Sequence, residues 1–291
     1  MLGQQLINGL MLGASYSLVA IGYTLIFGVL RLLHFAHGEV FMVGAFIGLH
    51  VVLWFAFANI YVAIAGAMAV TALVGWVIAR FAVQPVDKGY PLAPLISTIG
   101  VTIVLQNLAI NIFGGEQVAF PETIEQILFR IGPLTISSVQ IFILAIALLS
   151  MAALWLFIDR TRMGRAIRAT SESHETAALL GVDVNRVVVV TFVVASALAG
   201  IAGVLDGVKN SAITPHMGLE VAVKALVVML LGGLGNVPGA MVGGILLGMV
   251  EILTASYLGT SVRDFFTFVI LILLLLYRPT GLFGTRTVES G

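Results

Sequence analysis

RTRMGRAIRATSESHETAALLGVDVNR, residues 160–186, is the one long, densely charged run in an otherwise apolar chain. Arg160, Arg162, Arg165, Arg168 and Arg186 are five of the chain's fourteen Lys and Arg residues, and they stand with Glu172, Glu175 and Asp183. Apolar segments of membrane length flank the run, Val139–Ile158 before it and Val187–Leu205 after it. Lys and Arg bias short loops between spans toward the cytoplasm. The run is therefore expected to be a cytoplasmic loop, and that assignment orients everything else.

Within the loop the sequence predicts a short helix over residues 170–181. Thr170 and Ser171 can cap its first turn, and Glu172 and Glu175 suit the positive end of its dipole. Gly181 is placed to stop it. Ala177, Ala178 and Leu180 make a small apolar patch on a polar helix, which fits either a solvated loop or a knob that docks into a cytoplasmic partner. His174-Glu175 opens like a zinc-protease motif, but Ala178 stands where the second histidine is required, so no metal site is expected there.

Working outward, 60% of the 291 residues are hydrophobic and only 10% are charged, against roughly 25% charged in soluble domains. Mean hydropathy is +1.12. Apolar runs near twenty residues match helices crossing a hydrocarbon core of about 30 Å. The expectation is an all-α polytopic membrane protein, one transmembrane domain over residues 1–291 with no large soluble domain. Zero net charge argues against nucleic-acid partners. Cysteine is absent, so disulfide and thiol chemistry are excluded. The first apolar run lacks a basic leader and a cleavage signal, and is expected to remain as a span.

Gln4–Leu30 is the first predicted span, with Gly9-x-x-x-Gly13 spaced for close helix packing. Asn8, Ser15 and Ser17 are candidate interhelical donors. His34, His37 and Glu39 follow at the mouth of a second span ending near Phe57. Such groups are costly in a membrane unless solvated or paired, so a helix break near 31–39 that lines a cavity is expected. Ile60–Val83 is the third span. The loop 84–94, with three prolines and Lys88, reads as a second cytoplasmic turn.

Leu95–Phe113 is the fourth span. Thr98, Thr102 and Gln106, four apart, form a polar stripe on one helix face, with Asn107 beside it. The stripe is either interhelical hydrogen bonding or a substrate path. Gly114–Ser138 is acidic (Glu116, Glu122, Glu125) and is expected outside, as is Asp206–Glu220. A half-helix Glu220–Leu231, a break at Gly232–Gly239 and a second helix Ala240–Thr254 resemble a broken membrane helix. Asn236 suits the cap of that second helix and is also a candidate for the substrate path. Met42-Val43-Gly44 recurs as Met241-Val242-Gly243, too little to make a repeat. Asp264–Tyr277 is the last span, and Arg278 and Arg286 favour a tail inside. Eight spans result, or nine if 220–231 crosses, with the N-terminus outside and the C-terminus inside.

Several phrases together resemble the permease subunit of bacterial high-affinity branched-chain amino-acid ABC importers, the smaller, H-type of the two permeases. Phe35-Ala-His-Gly-Glu39 is similar to a signature of that family, with His34 where relatives commonly have Asn. Arg162-Met-Gly-Arg165, Arg168 and Ala178-x-Leu180-Gly181 resemble its cytoplasmic coupling motif. Leu231-Gly-Gly-x-Gly235-x-x-Pro-Gly-Ala240 and Pro279-x-Gly281 fit as well, so the likeness spans nearly the whole chain. It implies a heterodimer with a homologous second permease, two cytoplasmic ATPase subunits and a periplasmic binding protein, with ATP and Mg bound only by the ATPases. It also implies that Arg165, Arg168, Glu172, Ala177, Ala178, Leu180 and Gly181 couple to those ATPases.

Independently, no phosphate loop of the type G-x-x-x-x-G-K occurs, so this chain is not expected to hydrolyse ATP or to hold a cofactor. Neither G-x-S-G nor G-x-G-D occurs, which excludes membrane proteases that use those motifs. Urea or short-chain amide permeases of the same superfamily stay open, and sugar permeases are less favoured. An ion-coupled carrier using Glu39, Lys224 and Glu251 as a proton relay is the other alternative.

Overall fold

The computed structural model describes residues 2–54, 59–86, 92–132 and 134–284. Phe57, Lys88 and Arg286 lie outside the described residues. Eight helices are long and apolar enough to cross a membrane. In lipid each backbone N–H and C=O must be satisfied within its own segment, and that makes the apolar runs helical. They are α1 (Leu2–Leu30), α2 (His37–Trp54), α3 (Ile60–Val77, continued by a π-helix Ile78–Val83), α4 (Ala93–Phe113), α5 (Ser138–Arg160), α8 (Val184–Asn210), α10 (Val237–Tyr257) and α11 (Arg263–Tyr277, which a 3-10 turn Thr260–Val262 extends to an 18-residue span). Asn59, Ser137, Asp183 and Asn236 cap α3, α5, α8 and α10 through side-chain oxygens that accept from the first turn.

Two short helices, α6 (Arg162–Glu172) and α7 (His174–Leu179), fill the arginine-rich loop, and α9 (Met217–Gly232) precedes α10. At 16 residues α9 is too short to span alone. Two small sheets complete the fold. β1 (Val118–Ala119) pairs with β4 (Ala212–Ile213), and β2 (Leu128–Ile131) forms a hairpin with β3 (Leu134–Ser137).

Helix packing follows the glycines. Gly9 and Gly13 of α1 press against Met249 and Ile245 of α10, and Gly44 of α2 meets Gly200 of α8 backbone to backbone. Ser17 donates to Met241 O at 2.7 Å, so it is an interhelical bond between α1 and α10.

The chain is built from two inverted halves. Arg31 and Ser211, His37 and Met217, and Gly38 and Gly218 each stand 180 positions apart. Arg31 and Ser211 are the two non-glycine residues with positive φ among those described, at 54° and 53°. Each ends a long helix (α1, α8), a six-residue non-helical stretch follows (31–36, 211–216), and a shorter helix begins (α2, α9). His37 N donates to His34 O and Met217 N to Thr214 O, the same bond at the same offset. α1 finishes at the arginine-rich end, where α8 starts, so the halves run in opposite directions. Inverted repeats of this kind place discontinuous helices around the centre of a transporter.

Four expectations change in detail. The helix expected over 170–181 is two helices meeting at Ser173, whose hydroxyl accepts from Thr176 N. Thr170 and Ser171 do not cap it: Thr170 is buried with its hydroxyl on Ala166 O, and Glu172 sits at the C-terminal end of α6. The loop expected over 206–220 is only 211–216, because α8 continues to Asn210. The break at 232–239 narrows to a turn over 233–236, with Gly235 against Gly28 near the end of α1. The second mid-chain discontinuity is at 211–216, and in the repeat's register Met42-Val43-Gly44 faces 222–224, not 241–243.

Candidate functional site

Residues 31–36 enter the helix bundle from the arginine-rich end. Residues 212 and 213 pair with 118 and 119 at the opposite end, and 211–216 enters from there. The two stretches meet where α2 and α9 begin. A Cβ on Gly218 would sit 2.8 Å from Gly38 O and 2.9 Å from Glu39 Oε2, and one on Gly38 would collide with the Gly218 carbonyl. Only glycine allows this approach, because contacts under about 3 Å have no room for a methyl. His37 fits against Gly22 of α1, eight residues before Leu30, so the junction is about 12 Å in from that helix end.

Buried polar side chains gather here: Tyr23 of α1 with His34, His37 and Glu39. His37 packs edge-on against Tyr23 at 4.6 Å between ring centroids, and His34 against Phe192 at 4.8 Å. Glu39 is 2% exposed, in the first turn of α2 and against the first turn of α9. Helix N-termini carry partial positive charge, so two of them offset part of the cost of burying that carboxylate.

The structure brings His34, His37 and Glu39 together at this junction, and they form no metal-ligating group among the described residues. The α4 stripe divides. Thr98 is buried with its hydroxyl on Leu95 O, Thr102 donates to Thr98 O, and Gln106 Nε2 is 3.2 Å from His216 Nδ1, just before α9. Gln106 thus touches the re-entrant stretch, while Asn107 is exposed and bonds back to Ile103 O. Asn236 caps α10 through Gly239 N and donates to Phe283 O, away from the junction.

At the arginine-rich end, Arg162, Arg165 and Arg168 lie on the exposed face of α6, and Gly164, Ile167 and Thr170 on the buried one. Ala177 is buried, unlike the outward patch expected of it, and anchors α7. Ala178, Leu179 and Leu180 are exposed, the two leucines by 88% and 76%. Gly181, at φ +83°, ends the helix as expected.

Residues 5–276 match a family model described as the permease component of the branched-chain amino acid transport system. The chain belongs to this permease family. It is 39% identical over 302 residues to the high-affinity branched-chain amino acid transport system permease protein LivH of Escherichia coli strain K12, covering 99% of this chain and 97% of that protein. It is equally 39% identical over 298 residues to BraD of Pseudomonas aeruginosa, again over 99% and 97%. A probable LivH permease of Methanocaldococcus jannaschii is 27% identical over 285 residues, 92% of this chain and 88% of that one. No solved structure gives a significant match.

The permease also contains a charge network that its sequence only hinted at. Lys224 of α9 pairs with Glu251 of α10 at 3.1 Å and with Asp264 of α11 at 3.4 Å. Arg263 is 3.7 Å from Glu251, and Tyr16 of α1 donates to the same carboxylate at 2.9 Å. Two cations and two anions cancel within four helices. Lys224 and Glu251, weighed from sequence as relay groups, pair with each other. Their pairing was hidden because they are 27 residues apart on antiparallel helices.

Proposed function

We propose that the permease is the membrane-spanning subunit of an ATP-driven importer of branched-chain or other hydrophobic amino acids, working by alternating access in the bacterial inner membrane. The observation that carries the mechanism is the Gly38–Gly218 junction. Two re-entrant stretches from opposite ends meet there among buried polar groups, so small opposite shifts of α2 and α9 would open one side while closing the other. The substrate class rests on the full-length likeness to LivH and BraD. The remaining partners follow from the same reading: a homologous second permease, two ATPases seated on α6 and α7, and a binding protein on the β1–β4 side. Arg165, Arg168, Ala178, Leu180 and Gly181 belong to the ATPase contact, with ATP and Mg held by the ATPases.

In this reading the arginine-rich end faces the cytoplasm. Because the chain has no cysteine, single substitutions report orientation cleanly. Glu122→Cys is expected to react with an impermeant thiol reagent from outside intact cells, and Glu172→Cys only after the inner face is opened. Labelling of Glu172→Cys from outside would reverse the topology and remove the ATPase contact.

Function is tested in proteoliposomes holding the permease, its second permease and both ATPases, with binding protein and labelled leucine outside. ATP-dependent leucine accumulation is expected, with little uptake of urea. Urea uptake in place of leucine would move the permease to the amide carriers. Accumulation driven by a proton gradient with the ATPases absent would make it an ion-coupled carrier.

A further inference from the structure

We infer that Arg31 and His174 form a clasp that carries movement of the α6–α7 pair into the re-entrant stretch 31–36. The Arg31 guanidinium donates to Ser171 O at 3.3 Å and Glu172 O at 3.0 Å, the last carbonyls of α6. In return, His174 Nε2 lies 2.5 Å from Val29 O, a last-turn carbonyl of α1. A carbonyl only accepts, so His174 carries its proton on Nε2 there. Each element thus caps the other's C-terminal end. These are groups that a helix leaves without internal partners, and that a cation suits through the dipole.

Arg31 is not needed to stop α1, a task glycine performs at less cost. It is held instead at φ 54°, a conformation that a side chain of this size rarely adopts. That conformation turns the chain into 32–36 and aims the guanidinium back at α6. Three residues on stands His34, the first member of the buried junction. A cavity of about 290 Å³ lies beside the clasp, lined by Leu30, Arg31, Gln84, His174 and Asn185 among others. It leaves room for the joined pieces to move as one against the π-helix and α8. Arg31 is therefore a positioning residue: it holds the end of α6 and acts through the stretch it begins. The inference rests on the transport reading above and adds the linkage within this chain.

The test is the ratio of leucine transported to ATP hydrolysed by the complete reconstituted complex. Arg31→Ala is expected to lower uptake at least tenfold while ATP hydrolysis and ATPase co-purification stay within twofold. His174→Ala should shift the ratio in the same direction. Arg31→Lys should recover part of it, since an ammonium can still donate to these carbonyls, but from a more strongly hydrated and flexible side chain. If uptake and hydrolysis fall together, or the ATPases are lost, the clasp is scaffolding and the inference is wrong. Parental uptake in Arg31→Ala also overturns it. The parental complex reports separately on the underlying reading. Its failure to transport on ATP would remove that reading itself, whereas an unchanged ratio in the variants removes the clasp alone.

Discussion

Gly218→Val is expected to abolish leucine uptake and to destabilise the permease, although no charge or hydrogen bond is lost. The first atom added at position 218 would meet Gly38 O at 2.8 Å and Glu39 Oε2 at 2.9 Å. Neither can yield easily, since one is backbone in the first turn of α2 and the other is a buried carboxylate. Overpacking a tight core costs about 1–3 kcal/mol. Valine adds two methyl groups beyond that first atom, which places the change at the upper end of the range. Relief requires α9 to back away from α2, widening the contact on which the proposed gate depends. Transport should therefore fall further than stability does. Gly100→Val is the control, because nothing lies within 4 Å of a Cβ at that position on α4. Thermal unfolding in detergent and proteoliposome uptake measure both effects. If Gly218→Val transports like the parent, the junction is ordinary packing and not a gate.

How much of this was legible in the sequence depends on what kind of contact each residue makes. The spans were readable because lipid imposes helix on any apolar run of sufficient length. Asn236 as a cap and Gly181 as a stop were readable because both are local, settled within three or four residues. Gly9-x-x-x-Gly13 showed packing but not its partner, since α10 lies more than 200 residues away. The inverted repeat was hidden because it preserves backbone shape and not side chains: in its register Arg31 falls on Ser211 and His34 on Thr214, and among the junction residues only Gly38 and Gly218 agree. The Met-Val-Gly echo pointed to a false register for the same reason, three matches arising in a chain rich in those residues. Thr170 and Ser171 looked like caps because the hydroxyl is what a cap needs. Four residues in that stretch carry one, and with Thr170 packed into the core the role falls to Ser173. Arg31 gave no signal as a clasp, because its partners are backbone carbonyls, which any sequence supplies.

Ala178→Arg is expected to release the ATPases and end uptake while leaving the membrane body intact. Ser173 starts α7, Gly181 ends it, and buried Ala177 fastens it to the protein, so the helix presents a fixed face. On that face Ala178, Leu179 and Leu180 point away from the bundle at the arginine-rich end. In the proposed assembly a partner groove covers these three apolar side chains, in the manner of a helix laid into an apolar cleft. Arginine at 178 carries a charge into that groove with no counter-ion prepared for it. Stranding a buried charge costs about 3 kcal/mol or more, which is roughly two decades of affinity at about 1.4 kcal/mol per decade. The spans and the Gly38–Gly218 junction are untouched, so expression, thermal stability and pairing with the second permease should stay near parental. Ala178→Ser, small and uncharged, should keep both ATPases. Co-purification and uptake decide the matter together. Were Ala178→Arg to retain both ATPases and transport at the parental rate, α7 would be a solvated turn, and the ATPase contact would have to lie on the arginine face of α6.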